Sequence, residues 1–138
     1  MKMGNLIGSV QQEQSLIRTQ KPTILVADDD PAILEAMKIM LELSNFVVET
    51  IADGMVFQKL VSLQPDLLLL DIYMSGIDGR DVCRELKKTD ATKHIPVILT
   101  SASCDLIHAL QESGADDYLP KPFDMQDLLN KVNKYLLN

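Results

Sequence analysis

The fold is decided by two stretches, the first of which reads Ile24-Leu25-Val26-Ala27-Asp28-Asp29-Asp30-Pro31. The second stretch has the same form, because Leu67-Leu68-Leu69-Leu70 leads directly into Asp71. A strand with one face in water alternates apolar and polar residues, whereas an unbroken apolar run is typical of a strand buried on both faces of a parallel sheet. The sequence therefore predicts at least two parallel strands that each end in acidic residues.

Short apolar runs and segments with helical spacing alternate along the rest of the chain, from residue 23 onward. The alternation predicts a doubly wound α/β fold, a five-stranded parallel sheet with helices on both faces. The predicted strands are Thr23–Ala27, Phe46–Thr50, Asp66–Asp71, Ile95–Thr100 and Asp117–Leu119. The predicted helices are Pro31–Leu43, Met55–Leu63, Gly79–Lys88, Cys104–Ser113 and Met125–Leu137. Of the strands, only Phe46–Thr50 alternates, which indicates an edge strand.

Composition and charge exclude several classes of protein. The chain has 138 residues, of which 46% are hydrophobic, and its formal net charge is −7. Since there is no basic excess to displace counterions from phosphates, we expect no direct contact with nucleic acid. A membrane span needs about 20 apolar residues, whereas the longest uninterrupted apolar runs, such as Leu67–Leu70, have only four. Two cysteines and no visible signal peptide favour a reducing cytoplasm.

The first 22 residues differ from the rest, being rich in glutamine and ending at Pro22. We predict that residues 1–22 form a tail or linker and that residues 23–138 form one domain. Two interpretations of the tail stay open: a mobile segment, and a segment that docks on the domain or on a second copy.

Polar residues follow four of the predicted strands, and in such sheets ligands bind at the carboxyl ends of the strands. Asp28 and Asp29 follow the first strand, Asp71 the third, Ser101 the fourth and Lys121 the fifth. Two carboxylates about 4 Å apart repel by about 4 kcal/mol at an effective dielectric of about 20, and a divalent cation removes this conflict. Ligands that are all oxygen favour Mg²⁺, and lysine and hydroxyl groups suit phosphate oxygens. The residues therefore predict a site of phosphoryl chemistry.

Four motifs follow the predicted strands along the chain, at residues 24–31, 71–79, 96–102 and 114–123. Together they resemble the receiver domain of two-component response regulators, and the resemblance extends from residue 23 to about residue 137. The resemblance implies a flavodoxin-like sheet with strand order 2-1-3-4-5.

The resemblance also assigns a role to each residue at the predicted site. Asp71 is implied to be the phosphoacceptor, charged by a phosphohistidine on a histidine kinase or a histidine phosphotransfer protein. Asp28 and Asp29 form the acidic pocket, which holds Mg²⁺ together with Asp71 and the backbone carbonyl of Tyr73. Lys121 is implied to bind the phosphate and to precede a cis peptide bond to Pro122.

Phosphorylation is implied to act through two further residues. Ser101, favoured over Thr100 by its spacing from the Pro96 motif, contacts the phosphoryl group. Its movement leaves space that the Tyr118 ring fills by turning inward. The surface formed by the fourth helix, fifth strand and fifth helix would then bind a downstream protein or a second copy of the chain. One departure from the family pattern is Ser75, which stands where proline is usual and is expected to loosen the loop after Asp71.

The first helix carries more apolar residues than one buried face requires. A second stripe lies about 130° round the helix from the first. We predict that it docks the helices of a kinase or phosphotransfer protein; the alternative is a scatter of surface apolar residues. The stripe consists of Ala32, Ala36, Ile39 and Leu43.

Two other functions compete with that of a phosphoacceptor. A Mg²⁺-dependent phosphatase with an aspartyl nucleophile usually has a second acid two residues after that nucleophile, whereas this chain has Tyr73. A degenerate receiver that serves only as a scaffold is disfavoured by the complete set of polar residues. We therefore expect a signalling module with at most slow self-phosphorylation and autodephosphorylation, and not an enzyme.

Overall fold

The computed structural model describes residues 20–103 and 105–136, and its centre is a five-stranded parallel sheet. The strands are β1 (Thr23–Ala27), β2 (Val47–Ile51), β3 (Leu67–Asp71), β4 (Val97–Ser101) and β5 (Asp117–Pro120). Their order in the sheet is β2-β1-β3-β4-β5, as the resemblance implied, and β2 lies at an edge as its alternation predicted.

Five helices cover the two faces of this sheet in the part of the chain that the structure describes. They are α1 (Pro31–Leu43), α2 (Val56–Leu63), α3 (Gly79–Lys88), α4 (Leu106–Ser113) and α5 (Met125–Leu136). None of these helices combines the length and apolar character that a bilayer-spanning segment requires.

The leucines of β3 divide between two apolar clusters, one on each face of the sheet. Leu68 and Leu70 pack in a cluster with residues of α2, α3 and α4, whereas Leu67 and Leu69 pack in a cluster with residues of α1 and α5. Because successive side chains of a strand point to opposite faces, a strand between two helical layers needs apolar residues at every position. The unbroken run of leucines is thus explained by helices on both faces. The helical partners are Leu60, Leu86 and Ala109 in the first cluster and Leu41, Leu128 and Val132 in the second.

Aspartates begin three of the helices by accepting hydrogen bonds from the first turn. Asp30 accepts from the N–H of Ala32 at 2.9 Å, and Asp78 accepts from the N–H of Arg80 at 2.9 Å. At α5 the bonds are reciprocal, because Asp124 accepts from the N–H of Asp127 at 2.8 Å and donates its own N–H to that side chain at 3.2 Å. Such caps satisfy N–H groups that lack partners within the helix.

Hydrogen bonds in the turns shift two strands from their predicted bounds. The N–H of Phe46 donates to Leu41 at the end of α1, so β2 begins one residue later than predicted and extends to Ile51. The N–H of Ile95 donates to Thr92 within a turn, so β4 begins at Val97. The sequence pattern marks which residues are apolar, but it does not show whether their N–H groups bond to a turn or to a strand.

Smaller differences occur at the other element ends. Asp66 precedes β3, Met55 precedes α2, and β5 extends one residue to Pro120. The fourth helix begins at Leu106, after its N-cap residue Asp105. Cys104 lies outside the described residues, as do residues 137–138 and residues 1–19 of the predicted tail. A short hairpin of Tyr73–Met74 and Ile77–Asp78, which the sequence did not predict, follows β3.

Gly79 lets the start of α3 lie against the end of β3. Its N–H donates to the carbonyl of Ile72 at 2.7 Å, and a Cβ at this position would lie 2.4 Å from the carbonyl oxygen of Asp71. We therefore expect Gly79→Ala to lower the free energy of unfolding by about 1–3 kcal/mol, because backbone atoms must move apart. Urea denaturation measures this loss.

Gly54→Ala is the matched control for that substitution. A Cβ at Gly54 would meet only the Ile77 side chain, whose Cδ1 lies 3.1 Å away and can rotate. We expect this variant to unfold within about 0.5 kcal/mol of the wild type. Equal losses in the two variants would show that the contact with the Asp71 backbone is not the constraint at position 79.

Candidate functional site

Three carboxylates meet at the carboxyl ends of the two central strands. The pairing of Ala27 with Leu70 places Asp28, just after β1, beside Asp71 at the end of β3. One carboxylate oxygen from each of Asp28, Asp29 and Asp71 lies within 4.8 Å of the others, and Asp28 and Asp71 are buried. The structure therefore brings together the acids that the strand-end argument placed at one edge of the sheet.

Lys121 reaches this acid cluster from the loop between β5 and α5. Its Nζ lies 2.6 Å from Oδ2 of Asp28 and 3.5 Å from Oδ1 of Asp71. Its backbone N–H donates to the carbonyl of Ser101 at 2.9 Å, and its peptide bond to Pro122 is cis, as the resemblance implied. One ammonium group thus offsets part of the negative charge of three carboxylates.

The charge at Asp71 is only partly compensated. Burial raises the pKa of Asp71 above its ordinary value, and the neighbouring Asp28 carboxylate raises it further. Lys121 and the backbone N–H of Tyr73, which lies 3.4 Å from Oδ1, act in the opposite direction. A cluster of oxygen ligands with excess negative charge suits a hard divalent cation such as Mg²⁺. The residues present therefore fit the predicted metal.

Asp29 is held by Ser75, which the sequence did not indicate. The backbone N–H and the hydroxyl of Ser75 both donate to Oδ2 of Asp29, each at 2.8 Å. These two hydrogen bonds hold the pKa of Asp29 below its ordinary value. The loop after Asp71, which the replacement of proline was expected to loosen, is therefore bonded to the loop after β1.

The two predicted switch residues lie on neighbouring strands. Ser101 ends β4 and is buried, and its Oγ accepts from the N–H of Ser103 at 3.0 Å. Tyr118 lies on β5, is half-buried and packs against the apolar cluster on the α2, α3 and α4 side. Its ring lies 5.0 Å, centroid to Nζ, from Lys131 of α5. Ser101 therefore lies at the edge of the sheet that carries the acid cluster, whereas Tyr118 is only partly covered by the protein.

Comparison with known families accounts for this combination of sheet and acid cluster. The family model described as "Response regulator receiver domain" matches residues 24–133. The chain belongs to this family. Receiver domains are phosphoacceptor signalling modules of two-component systems and not enzymes in the usual sense.

The relatives of this receiver domain include longer proteins. It is 42% identical over 118 residues to the "DNA-binding dual master transcriptional regulator RpaA" of Synechocystis, covering 83% of this chain and 49% of the relative. The chain thus spans about half the length of the curated relatives it matches. The prediction that this chain itself does not contact nucleic acid stays a prediction.

Solved structures of similar receiver domains share the fold. One is a response regulator signal receiver domain from Bermanella marisrubri, with 33% identity, a TM-score of 0.76, and coverage of 86% of this chain and 100% of that one. Another is the receiver domain of a sensor histidine kinase from Pseudomonas aeruginosa, with 25% identity, a TM-score of 0.78 and the same coverage. That structure has a magnesium ion coordinated in its active site cleft.

The four residues of the predicted docking stripe on α1 are all exposed. Ile39 is 51% exposed and Leu43 is 72% exposed, which is high for large apolar side chains. Ala36 also lines an apolar groove of about 410 Å³ between α1 and the loop after β5, and Lys121 lines the same groove. The groove therefore lies beside the acid cluster. The fourth residue of the stripe is Ala32.

Sequence reasoning missed part of this groove. Ile33 and Met40 are half-buried: they pack against the apolar cluster on the α1 and α5 side and also line the groove with Phe123. Helical spacing identifies the side of a helix that faces the protein, but it does not show where the neighbouring loop leaves that side uncovered.

The pKa of Asp71 predicts a pH dependence of stability in the absence of divalent cations. Because the folded-state pKa is raised, the folded protein binds more protons than the unfolded chain, and stability decreases as pH rises through the folded-state pKa. In Asp71→Asn the side chain does not ionise, so this decrease in stability with rising pH is absent. We therefore expect the variant to be more stable than the wild type at neutral pH in a chelating buffer, with a smaller difference at mildly acidic pH.

Urea denaturation of both proteins at two pH values checks this prediction. A wild type that is the more stable protein at neutral pH would contradict it. A difference in the free energy of unfolding between the two proteins that grows as the pH is lowered would also contradict it.

Proposed function

We propose that this receiver domain accepts a phosphoryl group on Asp71 from a phosphohistidine of a histidine kinase or histidine phosphotransfer protein. The observation that carries the proposal is the buried Asp71 carboxylate with two acids and a lysine around it. In the transfer, a carboxylate oxygen of Asp71 forms a bond to phosphorus while the bond from phosphorus to the histidine nitrogen breaks. The domain would comprise residues 23–138, preceded by a tail or linker.

Each side chain at the site has a task in this proposal. Asp28, Asp29 and Asp71, with the backbone carbonyl of Tyr73, would hold Mg²⁺. The ion would supply positive charge to the phosphoryl oxygens as they approach a cluster of carboxylates. Lys121 already contacts both Asp28 and Asp71, so it can pair with a phosphoryl oxygen without a large movement.

The response to phosphorylation would pass through Ser101 and Tyr118. Phosphorylation replaces the single negative charge of the Asp71 carboxylate with a charge of about −1.5 to −2. The added negative charge attracts the Ser101 hydroxyl. Movement of Ser101 gives the half-buried Tyr118 ring room to turn inward. The surface of α4, β5 and α5 would then change its affinity for a downstream protein or for a second copy.

Backbone NMR of the ¹⁵N-labelled chain tests this proposed function. We expect MgCl₂ to shift signals around the acid cluster. Beryllofluoride, a phosphoryl mimic, should then shift signals in α4, β5 and α5 as well. A spectrum that beryllofluoride leaves unchanged in the presence of Mg²⁺ would contradict the proposal.

The exposed stripe on α1 predicts a specific defect in phosphotransfer from a protein. We propose that Ile39 docks against the helices of the kinase or phosphotransfer protein, because it is exposed on the helix that also lines the apolar groove. Ile39→Asp should slow transfer from the cognate phosphoprotein by about tenfold, since a charge would replace an apolar contact. Phosphorylation by acetyl phosphate, which needs no docking, should be unchanged.

Val61→Asp is the matched control. Val61 is 42% exposed on α2, which covers the opposite face of the sheet from α1. This variant should accept phosphate from the cognate protein at the wild-type rate. If Ile39→Asp folds normally and also transfers at that rate, the stripe is not the docking surface.

A further inference from the structure

Ser75 makes an unusual pair of contacts for a residue in an exposed turn. It follows the strand residues Tyr73–Met74 of the short hairpin, four positions after Asp71. Both of its donors, the backbone N–H and the hydroxyl, converge on the same oxygen of Asp29 at 2.8 Å. These two bonds connect the loop after β3 to the loop after β1 directly at the acid cluster.

The contact depends on the identity of the residue. Proline is usual at this position in the receiver-domain pattern, and proline has neither a backbone N–H nor a hydroxyl. Ser75 therefore supplies two interactions that the usual residue cannot. Among the described residues, no other hydrogen bond joins the loop after β3 to the Asp29 carboxylate.

Two donors on one carboxylate oxygen restrict the rotation of that carboxylate. Hydrogen bonds from residues behind a metal ligand orient the ligand, and their loss typically reduces metal affinity by about 10–100-fold. We propose that Ser75 is a positioning residue for Mg²⁺, which holds the Asp29 carboxylate in the orientation that binds the ion. This proposal rests on the proposed function, since it concerns the same metal site.

Three substitutions at this position remove the contacts in steps. Ser75→Thr keeps the N–H and the hydroxyl, Ser75→Ala keeps only the N–H, and Ser75→Pro keeps neither. We expect the dissociation constant for Mg²⁺ to equal that of the wild type in Ser75→Thr, to rise several-fold in Ser75→Ala, and to rise about tenfold or more in Ser75→Pro. Isothermal titration calorimetry of the full chain with MgCl₂ measures these constants without any phosphorylation step.

Ser62→Ala is the control for the loss of a serine hydroxyl at an exposed site. The Ser62 hydroxyl bonds only to the carbonyl of Lys59 within its own helix, at 3.5 Å, among the contacts of the described residues. Its Mg²⁺ affinity should be that of the wild type. Urea denaturation of each variant separates a loss of affinity from a loss of folding, and the conservative Ser75→Thr variant should restore the affinity that Ser75→Ala loses.

The outcomes distinguish this proposal from the proposed function. If the wild type binds Mg²⁺ but Ser75→Ala and Ser75→Pro bind it equally or more tightly, Ser75 does not position Asp29, and the phosphoacceptor proposal stands. A loss of affinity in Ser75→Thr equal to that in Ser75→Ala would also overturn the role of the hydroxyl. A wild type that binds no Mg²⁺ would overturn both proposals.

Discussion

Asp71→Asn is expected to abolish phosphoryl labelling of the chain by acetyl phosphate in the presence of Mg²⁺. The amide that replaces the carboxylate is neither a competent nucleophile for phosphorus nor an anionic ligand for the ion. The two neighbouring acids are engaged in other contacts: Asp28 with the ammonium of Lys121, and Asp29 with the donors of Ser75. We therefore expect no second acid to take up the phosphoryl group. Intact-mass spectrometry measures the labelled fraction.

Asp30→Asn provides the matched control for this loss. Asp30 lies in the same acidic triplet, but its side chain caps α1 through the N–H of Ala32. Asparagine caps helices about as well as aspartate, so the variant should fold and be labelled like the wild type. Labelling of Asp71→Asn to the extent seen for Asp30→Asn would contradict the assignment of Asp71.

Lys121→Ala is expected to produce the largest loss of stability at the site. The Lys121 side chain is 16% exposed and the Asp28 side chain 2% exposed, so the ion pair is almost fully removed from water. Removing one partner of a buried pair costs about 3–5 kcal/mol, because the remaining charge is left buried without a counterion. In a chelating buffer at neutral pH, the free energy of unfolding should fall by about 3 kcal/mol or more. MgCl₂ should recover part of that loss.

An exposed ion pair supplies the comparison. Lys59 lies 2.8 Å from Glu49, but the two side chains are 35% and 42% exposed. Lys59→Ala should therefore cost less than about 1 kcal/mol, and MgCl₂ should not change its effect. Urea denaturation of Lys121→Ala and Lys59→Ala, with and without MgCl₂, measures the two effects. Equal small losses in the free energy of unfolding would show that Lys121 does not compensate the charge of the acid cluster.

Much of the fold could be predicted from the sequence because burial on both faces leaves a simple pattern. The leucines of β3 are apolar at every position, and each proves to contact one of two helical layers. The acids at the ends of β1 and β3 could be placed together because parallel strands that pair in register end at the same edge. The order of the strands came from the resemblance to the receiver family, since apolar patterns do not specify which strands are neighbours.

What the sequence did not provide depends on single hydrogen bonds and on the packing of loops. The pairing of Ser75 with Asp29 joins residues 46 positions apart, and a serine in a turn carries no signal of its partner. The true start of β4 depends on the bond of the Ile95 N–H to Thr92. The groove beside α1 depends on the position of the loop that contains Phe123. Each of these features depends on which residues are neighbours in the folded protein, and a local sequence pattern does not contain that information.

Mapping the phosphoryl group after acetyl phosphate treatment shows which residue of the acid cluster accepts it. Reduction of the labelled protein with borohydride converts an aspartyl phosphate to homoserine, and peptide mass spectrometry then identifies the converted residue. We predict one converted residue per chain, at position 71, in the presence of MgCl₂ and none in a chelating buffer. Conversion at Asp28 or Asp29 instead, or conversion at position 71 that is independent of Mg²⁺, would contradict the account.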